Sequence, residues 1–222
     1  MRRLARLLAF LTAVGLVAAC SSSRPKTTAQ STQGAKSSQA TIAGSAGAQS
    51  LPARWWIWVE ASPPESNPVD DATGADCSAN QPTDVWFLAG THGGPARRSC
   101  TIPLGRPIYA PIINQICTVP SSQTAAAALA SCRGGVDTMS ASLDGQPLHP
   151  IEATSRSTFT FRAQPDSTTG FSPGLHRAVA WGQWIGPLSL TAGHHVLSFA
   201  ATSGSFATQV TYQLLVVASA GT

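Results

Sequence analysis

"DVWFLAGTHGGPARRSC", from Asp84 to Cys100, is the stretch that decides the fold. Its run VWFLAG, at 85–90, is apolar at almost every position, which is typical of a β-strand that is buried on both faces. Gly93 and Gly94 then permit a sharp turn, and a further strand leads to Cys100. We therefore predict two core strands joined by a tight connection.

Strand patterns recur along most of the remaining chain. They lie at 106–119, 157–163, 177–186, 187–202 and 206–217, and Asp144–Gly145 predicts a hairpin turn at positive φ. The domain is also rich in Pro, Gly, Ser, Thr and Val and has few charged residues, a composition that favours β-structure. We expect an all-β fold, a two-sheet antiparallel β-sandwich of Greek-key or jelly-roll type.

One short helix is expected, in the alanine-rich stretch 121–135. Ser121 or Ser122 can cap its start, and Gly134 or Gly135 can end it. By contrast, "RWWIWVE" at 54–60 reads as an aromatic strand that the following prolines stop.

The N-terminus carries an export signal. Three arginines precede a short apolar run at 7–17, too short to span a membrane. "VAAC", ending at Cys20, resembles the bacterial lipobox, whose cysteine becomes the diacylated N-terminus of the mature protein. An ordinary signal peptide is the alternative.

Three regions follow from this signal. Residues 1–19 are the lipoprotein signal peptide, and 20–50 are the lipidated cysteine with a Ser/Thr/Ala/Gly/Gln-rich linker. That linker is too poor in apolar residues to fold, so we expect a disordered tether. Residues 51–222 form one domain, on the extracytoplasmic face of a bacterial membrane, with two acyl chains as a sufficient anchor.

Four cysteines remain in the domain, an even number that predicts two disulfides in an oxidising compartment. Three pairings are possible. We favour Cys77–Cys100 and Cys117–Cys132, because each closes a local loop. Zinc is the competing reading, but no two cysteines have CxxC spacing.

The charge of the domain argues against nucleic acid as a partner. The whole chain has 14 basic and 10 acidic residues, but six of the basic ones precede residue 51. The domain therefore carries 8 basic and 10 acidic residues, a net charge of −2. The basic footprint of a nucleic-acid-binding protein is missing.

The segment from Asn67 to Asn114 resembles a group of uncharacterised exported bacterial proteins. The shared pattern is D-x-T-G…C…Q…VWFLAG…GG…R-x-C-x-IP-x-G…P-x-x-N, followed by a late PL…G-x-H motif that ends here at His195. The likeness covers most of residues 55–217. This chain departs from it at His194, where a polar residue is expected. The group has no established activity, so the resemblance implies export and fold but no function.

The loop around His92 has the composition of a catalytic or anion-binding site. His92 and Asp84 are candidate catalytic residues, and Arg97 and Arg98 are candidate ligand-binding residues. However, the domain has no G-x-S-x-G nucleophile motif, and the glycines lead into a strand rather than into the helix of a phosphate loop. We favour a structural connection that borders a binding surface, and we expect no cofactor.

Metal binding has two weak candidates in the sequence. Asp70, Asp71 and Asp76 surround Gly74 and could hold Ca²⁺, but their spacing does not match an EF-hand, and a solvated Asx turn explains them as well. Neighbouring histidines at 194 and 195 would face opposite sides of a strand and could not share one ion.

The six tryptophans suggest an aromatic binding face. If 54–60 is a strand, Trp55 points away from Trp56, so at least one would be exposed and free to stack on a sugar ring. Core filling is the alternative. We expect a lipid-anchored binding or envelope-associated module, with a glycan or an envelope protein as ligand. A hydrolase with its site in the 70–100 loops and a purely structural surface protein are the alternatives.

Overall fold

The computed structural model describes residues 49–218, which form two helices and ten strands. The helices are α1 (Leu51–Ala61) and α2 (Ala125–Cys132), with a short 3-10 helix at Pro64–Ser66. The strands are β1 (Trp86–Phe87), β2 (Gly94–Pro103), β3 (Ile108–Thr118), β4 (Thr138–Leu143), β5 (Gln146–Pro147), β6 (Ile151–Thr154), β7 (Phe159–Ala163), β8 (Gly174–Leu188), β9 (Gly193–Ser203) and β10 (Phe206–Val217).

Predictions for the signal peptide, Cys20 and the linker up to residue 48 lie outside the described residues. They therefore stay predictions. Within residues 49–218, neither helix has the length and apolar character needed to cross a membrane.

The strands form two mixed sheets. The first sheet contains β1, β3, β8, β6 and β7, and the second contains β2, β10, β9, β4 and β5. A mostly-β chain with two sheets is therefore confirmed, and the Greek-key or jelly-roll type stays a prediction. The expectation of purely antiparallel sheets is wrong, because β1 pairs with β3, and β2 with β10, in parallel. Since β2 lies in the other sheet, β3 returns beside β1 after a crossover instead of forming a hairpin with it.

The first sheet is buried on both faces. Phe87 and Tyr109 belong to the core on the side of α1, whereas Trp86 and Ile108 belong to the core shared with the second sheet. This explains why the VWFLA run has no polar alternation. The predicted burial on both faces is confirmed, although only Trp86 and Phe87 of the run form a strand. The second sheet buries one face only, and β10 accordingly alternates between buried and accessible residues.

Helix α1 replaces the strand predicted at 54–60. Trp55, Trp56, Trp58 and Val59 are all buried, more than the single inner face of a strand could bury. A helix presents these positions as one broad apolar face, which packs on the first sheet. Pro63 follows the end of the helix. The prediction that the prolines end this element is therefore confirmed, although the element is a helix and not a strand.

Local signals placed the second helix and the hairpin. Helix α2 lies within the predicted stretch, but its N-cap is Thr124, whose hydroxyl accepts a hydrogen bond from the amide of Ala127, rather than Ser121 or Ser122. Asp144 and Gly145 have φ angles of 53° and 78°, as the two central residues of a type I′ turn require.

Both disulfides join the cysteines that the sequence favoured. Cys77 is bonded to Cys100, and Cys117 to Cys132, across sequence separations of 23 and 15 residues. The first ties the loop before β1 to β2, and the second ties α2 to β3. Each closed loop removes freedom from the unfolded chain, which is worth about 3 kcal/mol on the chain-entropy model.

Candidate functional site

The chain crosses from the first sheet to the second at 88–93. Strand β1 pairs with β3 only at Trp86–Ile108 and Phe87–Tyr109, and the chain then turns away to begin β2 at Gly94. No other described strand pairs with that side of β3. The crossing therefore leaves a cleft between the loop at 90–92 and residues 111–114 of β3.

This cleft, which we call the crossover cleft, has a volume of about 150 Å³. Its walls come from α1, from the loop at Val69, from the loop at 90–92 and from β3, with one side chain of β10. Its lining residues are Trp55, Trp56, Val69, Gly90, Thr91, His92, Pro111, Ile112, Ile113, Asn114 and Phe206.

Two nitrogen atoms in the walls of the crossover cleft lack hydrogen-bond partners. They are Nε1 of Trp56 and Nδ2 of Asn114, and both atoms are buried. Among residues 49–218, six buried side-chain atoms are unpartnered in this way, and the other four belong to residues that do not line the crossover cleft: Ser50, Trp86, Thr168 and Trp181. A buried donor without an acceptor costs about 1–3 kcal/mol, and neither nitrogen has accessible surface through which a ligand in the cleft could reach it.

His92 lies at the mouth of the crossover cleft beside Asp70. Its Nε2 is 3.5 Å from Oδ1 of Asp70, and roughly half of each side chain is exposed. The only hydroxyl on the cleft-lining residues belongs to Thr91, which lies 2.9 Å from the hydroxyl of Thr208. The cleft thus combines an imidazole and a carboxylate with no free hydroxyl or thiol nucleophile on its lining residues.

Arg98 is a structural residue, which corrects its assignment as a ligand-binding residue. It is only 2% exposed, and it donates hydrogen bonds to the hydroxyl of Tyr212 and to the carbonyls of Val69, Asp71, Ala89 and Gly90. Its guanidinium forms no ion pair within residues 49–218. Arg97, on the opposite face of β2, is exposed and remains available to a ligand.

Asp84, a candidate catalytic residue from the sequence, lies away from the crossover cleft. Its carboxylate forms an ion pair with Arg54 of α1, just before β1 begins, and it does not line the crossover cleft. The hydrogen bond from Arg54 lowers the pKa of Asp84 below its usual value. An acid held ionised in this way is a poor proton donor at neutral pH, and its contact instead fixes α1 against the loop that follows the 3-10 helix.

The three aspartates proposed for Ca²⁺ do not converge. Burial alone would raise the pKa of Asp71, but hydrogen bonds from the amides of Asp76, Thr73 and Gly74 lower it below its usual value. Its carboxylate is thus occupied as an Asx-turn acceptor. Within residues 49–218 there is no group of three acidic, histidine or cysteine side chains that could hold a metal ion.

The exposed tryptophan face expected at 54–60 is absent. Trp55 and Trp56 are 2% and 8% exposed, so neither offers a ring face to a sugar. Both line the crossover cleft, however, and they differ there. The indole of Trp55 donates to the carbonyl of Leu88 at 2.9 Å, whereas that of Trp56 has no acceptor.

A larger cavity of about 400 Å³ lies on the second sheet, where β2, β10, β9 and β4 meet. Its lining side chains are mostly small. Two of its hydroxyl groups are paired with each other, since the Oγ1 atoms of Thr138 and Thr202 lie 2.7 Å apart. Because none of its lining residues is ionisable, we place the candidate site at the smaller crossover cleft, which His92 lines.

His195 and Asp144 form a second charged pair, at the hairpin end of the second sheet. Nδ1 of His195 lies 2.7 Å from Oδ2 of Asp144, and the other ring nitrogen lies 3.0 Å from the carbonyl of Thr191. The hydrogen bond to Asp144 raises the pKa of His195. The same bond, with that from the amide of Val196, lowers the pKa of Asp144.

We expect this pair to make the free energy of unfolding fall both at high pH, through His195, and at low pH, through Asp144. The His195 contribution is complete below its unfolded pKa of about 6.5 and is lost as pH rises through the higher folded pKa. The Asp144 contribution is complete above about pH 4 and is lost as pH falls through the lower folded pKa. In an NMR titration, Asp144→Asn should lower the midpoint of His195, and an unchanged midpoint would contradict the pairing. Asn tolerates the positive φ at this position, so the turn should persist.

No protein-family model matches the chain, and no curated protein is similar to it.

Sequence reasoning found part of the crossover cleft and missed the rest. His92 and Trp56 were singled out, although Trp56 was expected to act through its ring face. Asn114 was missed. The available signal was an asparagine inside an apolar strand segment, a position where that residue is disfavoured without a specific partner.

Proposed function

We propose that this chain is an exported, lipid-anchored binding module of a bacterial envelope, and that its ligand binds in the crossover cleft. The proposal for the site is carried by His92, which lines the cleft and lies with its Nε2 3.5 Å from Oδ1 of Asp70 at the mouth. The lipobox at Cys20 and the two disulfides support export to an oxidising compartment.

Binding is favoured over hydrolysis by the contents of the cleft. His92 and Asp70 could act as a base and its orienting carboxylate. However, covalent catalysis also needs an activated nucleophile, and the cleft-lining residues offer only the engaged hydroxyl of Thr91.

One preparation tests the anchor and the site. Wild-type protein should stay with the membrane after carbonate washing, whereas Cys20→Ala should be released because it has no acyl chains. The released full chain is then mixed with small carboxylates, amides and sugars while the indole N–H resonance of Trp56 is followed. At least one class should shift this resonance. Retention of Cys20→Ala would overturn the lipid anchor, and a Trp56 resonance that no probe moves would overturn the site.

A further inference from the structure

Strand β3 has an unpaired edge beyond the crossover cleft. Val119 donates its N–H to the carbonyl of Arg177, the residue directly opposite it across the ladder with β8. Bonded and non-bonded pairs alternate along an antiparallel ladder. The backbone N–H and C=O groups of Asn114, Ile116 and Thr118 therefore point away from β8.

The neighbouring strand agrees with this orientation. Ala180 pairs with Ile116, and its carbonyl accepts a hydrogen bond from the amide of Ser155 on the far side of β8. Within residues 49–218, no strand pairs with the other side of β3 after Tyr109, and no backbone hydrogen bond from a turn or loop reaches residues 114, 116 or 118. We call residues 114–118 the free edge.

The edge strand of the second sheet is protected, in contrast to the free edge. Ser99 of β2 donates its N–H away from β10, to the carbonyl of Thr73. Pro95 and Pro103 occupy equivalent outward positions on β2 and have no N–H to offer. Proline and a covering loop are usual protections against a further strand, and the free edge of β3 has neither among the described residues.

The side chains of the free edge also suit an added strand. Asn114, Gln115 and Thr118 are uncharged, so no charge repels a neighbouring backbone. Ile116 is half-buried and packs against the core on the side of α1. A strand added here would bond to the three outward residues and would cover the exposed part of Ile116.

A segment of the same chain has the composition and the reach to occupy the free edge. Residues 37–50 carry no charge, and Ile42 is the only large apolar residue between Cys20 and Leu51. Leu51 lies about 7.5 Å along the axis of α1 from Trp56, which lines the cleft where the free edge begins. Since the stretch from Ile42 to Leu51 spans up to about 30 Å when extended, Ile42 can reach the free edge.

We propose that residues 38–43, Ser-Gln-Ala-Thr-Ile-Ala, add to the first sheet as a strand along the free edge, with Ile42 beside Ile116. A segment held on the same chain acts at an effective concentration of the order of millimolar, so a few main-chain hydrogen bonds are enough. A second copy of the domain fits less well, because the free edge begins in a cleft between α1 and Phe206 that is narrow enough for a single extended chain. The proposal is independent of the ligand of the crossover cleft.

Amide hydrogen exchange in the released full chain carrying Cys20→Ala tests this strand. The amide of Ile116 should exchange at least about tenfold more slowly than an unpaired amide. The double variant Thr41→Pro/Ile42→Pro should restore fast exchange, because one of two consecutive strand residues must direct its N–H toward β3. Gln115 is the internal reference, since its amide faces β8 and should stay protected in every variant.

The double variant Ser31→Pro/Thr32→Pro is the matched control. It makes the same change outside the proposed strand and should leave the exchange rate of Ile116 within about twofold. Both double variants lie outside the folded domain, so the domain should fold in each. Fast exchange of Ile116 in the chain without proline substitutions overturns the proposal. Slow exchange that persists in Thr41→Pro/Ile42→Pro also overturns it, and loss of that protection on dilution would identify a second copy as the occupant.

Discussion

Replacement of Arg98 by methionine should lower the free energy of unfolding by about 3–5 kcal/mol, the range expected when a buried charged network loses one member. Arg98 satisfies the carbonyls of Val69, Asp71, Ala89 and Gly90. Methionine fills much of the same volume but donates to none of them. The carbonyls of Val69, Asp71 and Gly90 would then lose their side-chain donor, at about 1–3 kcal/mol for each one that water cannot reach, whereas that of Ala89 keeps the Tyr212 hydroxyl.

Arg98 has this effect because it connects three parts of the fold. Its Nε donates to the loop before β1, its Nη1 to the crossing after β1, and the same Nη1 to the hydroxyl of Tyr212 in β10. Burial raises the pKa of Tyr212, although Arg98 partly opposes this, so the phenol stays protonated and donates to the carbonyl of Ala89. Lysine should not replace Arg98, because one ammonium cannot reach acceptors that lie in three directions.

Urea denaturation of the oxidised full chain measures this prediction. Arg97→Met is the matched control, because the neighbouring side chain lies on the exposed face of β2 and should change stability by no more than about 0.5 kcal/mol. An Arg98→Met protein as stable as the Arg97→Met protein would show that the network contributes little. Equal m-values in the two variants are needed for the comparison.

Trp55→Ala should destabilise the domain by about 3–5 kcal/mol, as is usual for a buried aromatic residue replaced by alanine. The Trp55 ring lies edge-on to Trp56 and to Trp184, with centroid distances of 5.0 and 5.8 Å. Its indole N–H also donates to the carbonyl of Leu88, where the chain leaves β1. The substitution therefore opens a cavity between α1 and the first sheet and leaves a buried carbonyl unpaired.

Two further variants divide this effect. Trp55→Phe keeps most of the packing and removes the hydrogen bond, so we expect a smaller loss of about 1–3 kcal/mol. Ile57→Ala lies on the same helix at a partly exposed position and should cost less than Trp55→Ala. Equilibrium unfolding followed by near-ultraviolet circular dichroism reports on all three. A cost for Trp55→Ala no larger than that for Ile57→Ala would mean that α1 is not an integral layer of the core.

The positions of the functional groups depended on contacts between distant parts of the chain. The sequence placed His92 at a glycine-rich connection, and the structure keeps it there beside a cleft. Asn114 and Trp56 meet His92 only because β3 and α1 pack on either side of that connection. In the same way, the sequence does not distinguish the neighbouring residues Arg97 and Arg98. Only the orientation of β2 buries Arg98 and exposes Arg97.

The sequence by itself determined the features that short-range chemistry controls. The apolar run before Gly90 made a doubly buried strand, Asp144–Gly145 made a tight turn at positive φ, and cysteines close in the chain paired with each other. Each depends on backbone geometry or loop length within a few tens of residues.

Only the tertiary structure decided whether 54–60 is a helix or a strand, and whether strands pair in parallel. The five consecutive large apolar side chains at 55–59 satisfy either periodicity. Burial of four of them against the first sheet selects the helix, because one face of a strand could not bury all four. Parallel pairing likewise depends on which sheet receives β2, and that is settled by the packing of two apolar faces against each other rather than by any local pattern.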